Sequence, residues 1–279
     1  MYAPLMIKLA GKKKGNCKLW QLWTLYITTA FLWGALMVIS IPASAQLTQK
    51  GPFEITPLTD SVFLFTSYGE FNGRFYPANG LFALTPKGAI IIDGPWDPKD
   101  RQPLLDSIWQ QHQEKVVFCL ATHFHEDRSG ALKQYGALGI PTFATKMTDS
   151  LCRLHHEPRA VHLMAPDTIF HFGDFTLQTY YPGPGHAPDN IVVWLPKSRI
   201  LYGGCFLKSV KDDNLGNLSD ANVAVWGQNA GKLKARFSRP SYIIVGHGYW
   251  RSLKAIDHTI ELVKQYNSRQ KKPTSALSK

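Results

Sequence analysis

Cysteine is scarce in this chain, with four among 279 residues. Cys17 lies near the N-terminus, which leaves Cys119, Cys152 and Cys205, an odd set that makes no obvious disulfide framework for an exported protein. Cys119, in the apolar run Val116 to Leu120, reads as a small buried hydrophobe, and so does Cys152 beside Leu151 and Leu154 on a short predicted helix. Cys205 needs another explanation. Linkers, low-complexity segments and short-period repeats are missing too, which argues against an array or a string of modules.

Acidic residues are absent from the first 45 positions. There Lys8, Lys12, Lys13, Lys14 and Lys18 precede an apolar run from Leu19 to Ile41, closed by Ala43-Ser44-Ala45. That order predicts a secretory signal peptide over 1–45, cleaved after Ala45; the competing reading is an uncleaved anchor, since about 20 apolar residues can span a bilayer. The residue immediately after the cleavage site is Gln46 and not cysteine, which argues against a lipoprotein. Without the five leader lysines, 26 basic residues stand against 20 acidic ones, a net charge of +6. Arg269, Lys271, Lys272 and Lys279 gather in the tail, which suits solubility better than nucleic-acid binding.

Residues 53–93 carry short strand-like runs separated by turn residues and predict an antiparallel meander. Leu104, Leu105, Ile108 and Trp109 fall at helical spacing with Pro103 in the first turn, followed by a strand over 116–121 and a helix from Ser129. The second half predicts strands near 168–172, 175–181, 191–196, 199–203 and 242–245, a helix within 220–237, and a final helix with an apolar stripe of Leu253, Ile256, Ile260 and Val263. Two similar halves of this kind imply an α/β fold: an αββα sandwich of two mainly antiparallel mixed sheets face to face, helices outside. The expectation is one domain over 46–279 with a basic tail from about 269.

Four loops at predicted strand ends carry metal-capable side chains. His123, His125 and Asp127 alternate in Ala121-Thr-His-Phe-His-Glu-Asp127, where an extended backbone would bring them to one side. His186 stands in Gly183-Pro-Gly-His-Ala-Pro-Asp-Asn190, Cys205 in Gly203-Gly-Cys205, and His247 in Gly246-His-Gly248. Each of the last three follows glycine, which permits close approach to a shared centre. Taken singly, any of them is as readily a satisfied buried polar residue. The His155-His156 pair has no such glycine context and reads as surface or cap residues.

These motifs resemble the metallo-β-lactamase family over nearly all of the chain beyond residue 45. Its H-x-H-x-D is matched at 123–127, its G-H-x-x-D-N at 185–190, its G-G-C-x-x-K at 203–208, its G-N-L at 216–218 and its G-H-G at 246–248. Arg128 after the Asp, together with Cys205, resembles the first subclass of class B rather than hydrolases that place a second histidine there. The resemblance implies two Zn2+ per chain, one held by His123, His125 and His186 and the other by Asp127, Cys205 and His247. It implies hydrolysis of the β-lactam amide of penicillins, cephalosporins and carbapenems by a zinc-bound hydroxide, with antibiotic resistance as the outcome. Asp127 would orient the nucleophile, Asn217 would help polarise the carbonyl, and Lys208 would pair with the substrate carboxylate.

Phe71 and Phe75 flank Asn72-Gly73, a tight-hairpin signal. The resemblance makes this hairpin a flap over the substrate's apolar groups, with Trp96 beside it; the residues alone are as compatible with ordinary hairpin packing. Asp93 reads as a brace behind the metal loops and Arg128 as a support for Asp127. Two positions depart from the family pattern, Ala187 where Thr is usual and Ser219 where Gly is usual. Both bear on the surroundings of the site and not on the ligand set. Two other readings stay open: an exported di-zinc hydrolase acting on a lactone, thioester or phosphodiester, and a zinc-binding relative without turnover. The expected protein is a periplasmic monomer, with no nucleic-acid partner and no membrane association once the leader is removed.

Overall fold

The structure, a computed structural model, describes residues 50–270. The leader with its Ala43-Ser44-Ala45 site, and Lys271, Lys272 and Lys279 of the tail, lie outside the described residues. Within them no helix is long and apolar enough to cross a membrane.

Seven strands form the first sheet in chain order: β1 (Glu54–Pro57), β2 (Val62–Phe71), β3 (Arg74–Thr85), β4 (Gly88–Ile92), β5 (Val116–Leu120), β6 (Thr142–Thr145) and β7 (His162–Met164). The first four are an antiparallel meander, and β5 to β7 add in parallel. The second sheet has the order β12-β11-β10-β9-β8, built from β8 (Ile169–Phe172), β9 (Phe175–Tyr180), β10 (Val192–Leu195), β11 (Ile200–Gly204) and β12 (Tyr242–Val245). Its last pair, β11 with β12, is parallel.

Alternation along the strands sorts the apolar side chains into layers. Ile90 and Ile92 of β4, Phe118 and Leu120 of β5, and Ile200 and Tyr202 of β11 pack in the space between the sheets with Leu177, Val193 and Ile244. Their neighbours Ala89, Ile91 and Cys119 face the other way, onto Leu104 and Ile108 of α1 (Pro98–His112) and Leu132 and Tyr135 of α3 (Leu132–Ala137). On the far side Val192, Leu201 and Ile243 meet Trp226 and Leu233 of α5 (Val223–Arg236) and Leu262 and Val263 of α6 (Ala255–Gln270). This is the expected αββα sandwich, with β5 interior and apolar on both faces. Cys119 and Cys152 are both fully buried, and burial pushes the Cys152 thiol up to about 12, so both act as inert hydrophobes.

Several local expectations are corrected. Helix α1 starts at Pro98, capped by Asp97 accepting from Lys99 N at 2.8 Å, so Pro103 lies inside it and Trp109 is exposed. Where one helix from Ser129 was expected there are two, α2 (Glu126–Ser129) and α3, separated at Gly130. Leu253 precedes α6 and is exposed; the helix instead buries Ala255, Ile256, Thr259, Leu262 and Val263. Strands β6 and β7, at four and three residues, are too short to show a period. His156 is the left-handed C-cap of α4 (Lys146–His155), as a cap residue should be.

The hairpin β2–β3 closes on a two-residue turn with positive φ at both Asn72 (50°) and Gly73 (72°), the geometry whose twist matches its strands.

Candidate metal centre

Loops following β5, β9, β11 and β12 converge at one rim of the sandwich. The two sheets are tied there by backbone: Asn79 N of β3 donates to Gly246 O at 2.8 Å, and Ile191 N donates to Thr122 O at 3.0 Å. The Asn79 carboxamide adds bonds to Val245 O and Gly248 O, both at 3.0 Å. Gly246 is required by this closeness, since a Cβ there would stand 2.6 Å from Cys205 N and 2.8 Å from its sulfur.

Three histidines form the first donor set. His125 Nδ1 lies 3.1 Å from both His123 Nε2 and His186 Nε2. Burial, then His125 for one and Lys208 for the other, drives the pKa values of His123 and His186 well below the ordinary range, so both rings are neutral with lone pairs available. His125 Nε2 is 3.0 Å from Asp220 Oδ2, which leaves Nδ1 as the inward donor.

Asp127, Cys205 and His247 form the second. Asp127 Oδ2 is 3.0 Å from His247 Nε2 and 3.4 Å from Cys205 Sγ, and the sulfur is 3.2 Å from that same ring nitrogen. His247 Nδ1 donates to Pro77 O at 2.9 Å, which points Nε2 at the acid and the thiol. Burial alone would lower the His247 pKa, but Cys205 and then Asp127 outweigh it and raise it to about 9: the three atoms draw in positive charge. His123, His186 and Cys205 also offer atoms within 4.8 Å of one another, so the two sets are contiguous.

Expected as part of an extended loop, Asp127 is instead in the first turn of α2, with His125 at the extended cap position before it. Alternation still holds for the side chains: Phe124 turns away and packs on Cys152 and Ala187. Arg128, 1% exposed, holds the rim together. Its Nε donates to Asp127 Oδ2 at 2.8 Å, Nη1 to Asn79 O at 2.7 Å and the Tyr202 hydroxyl at 3.0 Å, and Nη2 to Gly246 O at 2.8 Å. Buried Asp93 accepts from Thr122 N and Oγ1, both at 2.7 Å, and from Tyr202 at 2.8 Å. Both residues brace the metal loops, as the sequence suggested.

The other candidates are more scattered. Lys208 is buried, not the exposed lysine its type suggests, with its ammonium 5.5 Å above the Trp226 ring; burial lowers its pKa, with Cys205 and Asp212 opposing. Asn217 is exposed and its Oδ1 accepts from Ser219 N at 3.1 Å, so its carboxamide is not hydrogen-bonded to either donor set. Trp96 stands edge-on to His247 with ring centroids 5.9 Å apart. Phe71 is 43% exposed at the hairpin tip and Phe75 is half-buried. Asp220 escaped the sequence reading; its place in the same loop as Asn217 was the available signal.

The donor chemistry fits zinc. Nitrogen arms of about 2.0–2.1 Å in a tetrahedron have edges of roughly 3.3 Å, close to the histidine spacings, and a thiolate with a carboxylate and an imidazole suits the same ion. An αββα sandwich with two contiguous three-donor sets at strand ends is the framework of a metal-dependent hydrolase. Residues 73–248 match the family described as the Metallo-beta-lactamase superfamily. The metallo-beta-lactamase type 2 of Elizabethkingia meningoseptica is 36% identical over 240 residues, covering 86% of this chain and 96% of the relative. That of Bacteroides fragilis is 32% identical over 247 residues, with 88% and 99% covered. The crystal structure of metallo-beta-lactamase IND-7 superposes with a TM-score of 0.74 at 34% identity, over 77% of this chain and 100% of that one. The chain belongs to the metallo-β-lactamase superfamily, and its relatives fit the first subclass of class B.

Proposed function

We infer that this protein is a zinc-dependent β-lactamase, hydrolysing the ring amide of penicillins, cephalosporins and carbapenems and so conferring resistance to them. The contiguous pair of donor sets carries the reading, together with the relatives' activity. His123 Nε2, His125 Nδ1 and His186 Nε2 would hold one zinc; Asp127, Cys205 and His247 would hold a second. Zinc, when bound, supplies Lewis-acid polarisation of a carbonyl and activation of water at neutral pH.

The chain's own residues do the rest. Asp127, whose Oδ2 is held by Arg128, would be one of the residues holding the second zinc, and its carboxylate would also orient the attacking water. The Lys208 ammonium has no carboxylate hydrogen-bonded to it among the described residues and is set to pair with a substrate carboxylate. The Asn217 amide donates to the developing oxyanion. Phe71 and Phe75 close over the substrate's apolar groups, with Trp96 as the wall beside His247. The protein acts as a periplasmic monomer, free of the membrane once residues 1–45 are removed.

One experiment separates this from the competing readings. The purified zinc-loaded protein should open a penicillin or carbapenem ring, lose that activity to a chelator and regain it with added zinc. Hydrolysis of a lactone, thioester or phosphodiester instead would overturn the substrate assignment, and zinc binding without hydrolysis would make it a binding protein.

A further inference from the structure

Ser219 lies between Asn217 and Asp220, and both its hydroxyl and its backbone N–H are engaged. Its hydroxyl donates to Asp220 Oδ2 at 2.7 Å. That same carboxylate oxygen receives His125 Nε2 at 3.0 Å. The Ser219 N–H donates in the other direction, to Asn217 Oδ1 at 3.1 Å. One residue thus joins two chains of hydrogen bonds, one leading to the inward donor of the three-histidine set and the other to a side chain proposed to touch substrate.

Asp220 is partly open to solvent, its side chain 28% exposed, so its direction is not fixed by packing. A carboxylate oxygen held by the Ser219 hydroxyl at 2.7 Å is a directed acceptor for the Nε2–H of His125, 3.0 Å away. That bond selects the tautomer whose Nδ1 lone pair faces His123 and His186. Glycine at 219 would keep the N–H and lose the hydroxyl, leaving the carboxylate to rotate.

We propose that Ser219 is a positioning residue that couples the three-histidine set to Asn217, its hydroxyl fixing Asp220 on His125 and its N–H fixing the Asn217 carboxamide. The inference rests on the zinc reading above. It makes the order of the 216–220 loop depend on the state of the histidine set.

The test uses the purified protein, with zinc titrated against a chromophoric chelator and side-chain amide and imidazole nitrogens followed by NMR. Asp220→Asn removes the carboxylate and should weaken zinc binding at the histidine set about 10–100-fold. Ser219→Ala should weaken it less, about three- to tenfold, and Ser219→Thr should restore it, since a hydroxyl tunes an outer partner whose full loss costs the larger factor. In the parent protein, zinc should shift and sharpen the Asn217 amide resonances; in Ser219→Ala that response should fade while the zinc still binds. If Ser219→Ala binds zinc like the parent with an unchanged Asn217 response, the coupling is wrong. If Ser219→Thr behaves like Ser219→Ala, the hydroxyl is not the active feature and the inference also fails. A parent protein that takes up no zinc overturns the zinc reading itself, a separate outcome from uptake that ignores residue 219.

Discussion

Arg128 donates through Nε to Asp127 Oδ2 at 2.8 Å while its other nitrogens reach carbonyls of both sheets, Asn79 O and Gly246 O. A fully buried guanidinium therefore orients a metal-site carboxylate and clamps the rim where the sheets meet. Burial disfavours its charge, but Cys205, Tyr202, Asp127 and Asp93 hold it ionised, with its pKa raised well above the usual value. Arg128→Ala leaves Asp127 and Asp93 without their cation and should cost about 3–5 kcal/mol of stability. Arg128→Lys keeps the charge but cannot make the forked set of bonds, and should recover only part. Urea unfolding of the metal-free proteins measures this; equal stability of parent and Arg128→Ala would contradict it.

Cys205 is 2% exposed, with its sulfur 3.2 Å from His247 Nε2 and 3.4 Å from Asp127 Oδ2. Serine fits the same space but does not ionise near neutral pH, so Cys205→Ser should weaken zinc at the second set and reduce turnover while the fold stays intact. Metal content after dialysis, with circular dichroism for the fold, checks this. Two zincs retained at unchanged affinity and activity would remove Cys205 from the ligand set.

The hairpin tip offers a different separation. Phe71 is 43% exposed and Phe75 half-buried, and neither is hydrogen-bonded to a donor-set residue among the described residues. Deleting residues 71–75 should raise KM more than it lowers kcat and leave zinc content as it was, because what it removes is apolar contact with substrate. Loss of zinc with KM unchanged would mean that the hairpin supports the site and does not cover it.

How far the sequence led depended on the range of the interaction. Strands apolar on both faces, such as Ala89–Ile92 and Val116–Leu120, read clearly because burial on two sides leaves an unbroken run. His123, His125, His186, Cys205 and His247 were legible because each sits in a short glycine-marked or alternating motif. The helical backbone at Asp127 was not, since four residues are too few to show a period. Asp220 was missed because its partner His125 is 95 residues away in the chain, and an acid in a polar loop carries no local mark of such a bond. The buried state of Lys208 depends likewise on Trp226 of α5, a contact only the folded chain creates.

Asp189, behind the His186 loop, gives a pH dependence with a definite sign. Its carboxylate is 1% exposed and has no well-aligned hydrogen bond; burial, opposed most by the Thr148 hydroxyl, raises its pKa from 3.8 to about 6. A group whose pKa is higher folded than unfolded binds its proton more tightly in the native state. Its contribution is therefore complete below pH 3.8 and is lost as pH rises through about 6. The shift corresponds to about 3 kcal/mol between those limits. Asp189→Asn cannot ionise, so whatever its absolute stability, the difference from the parent should move in its favour by up to about 3 kcal/mol between pH 4 and pH 7. Unfolding free energies of the metal-free proteins across that window are the measurement, since bound zinc adds its own proton linkage. Parallel curves for parent and Asp189→Asn would show that Asp189 ionises in the native state as easily as in the unfolded chain.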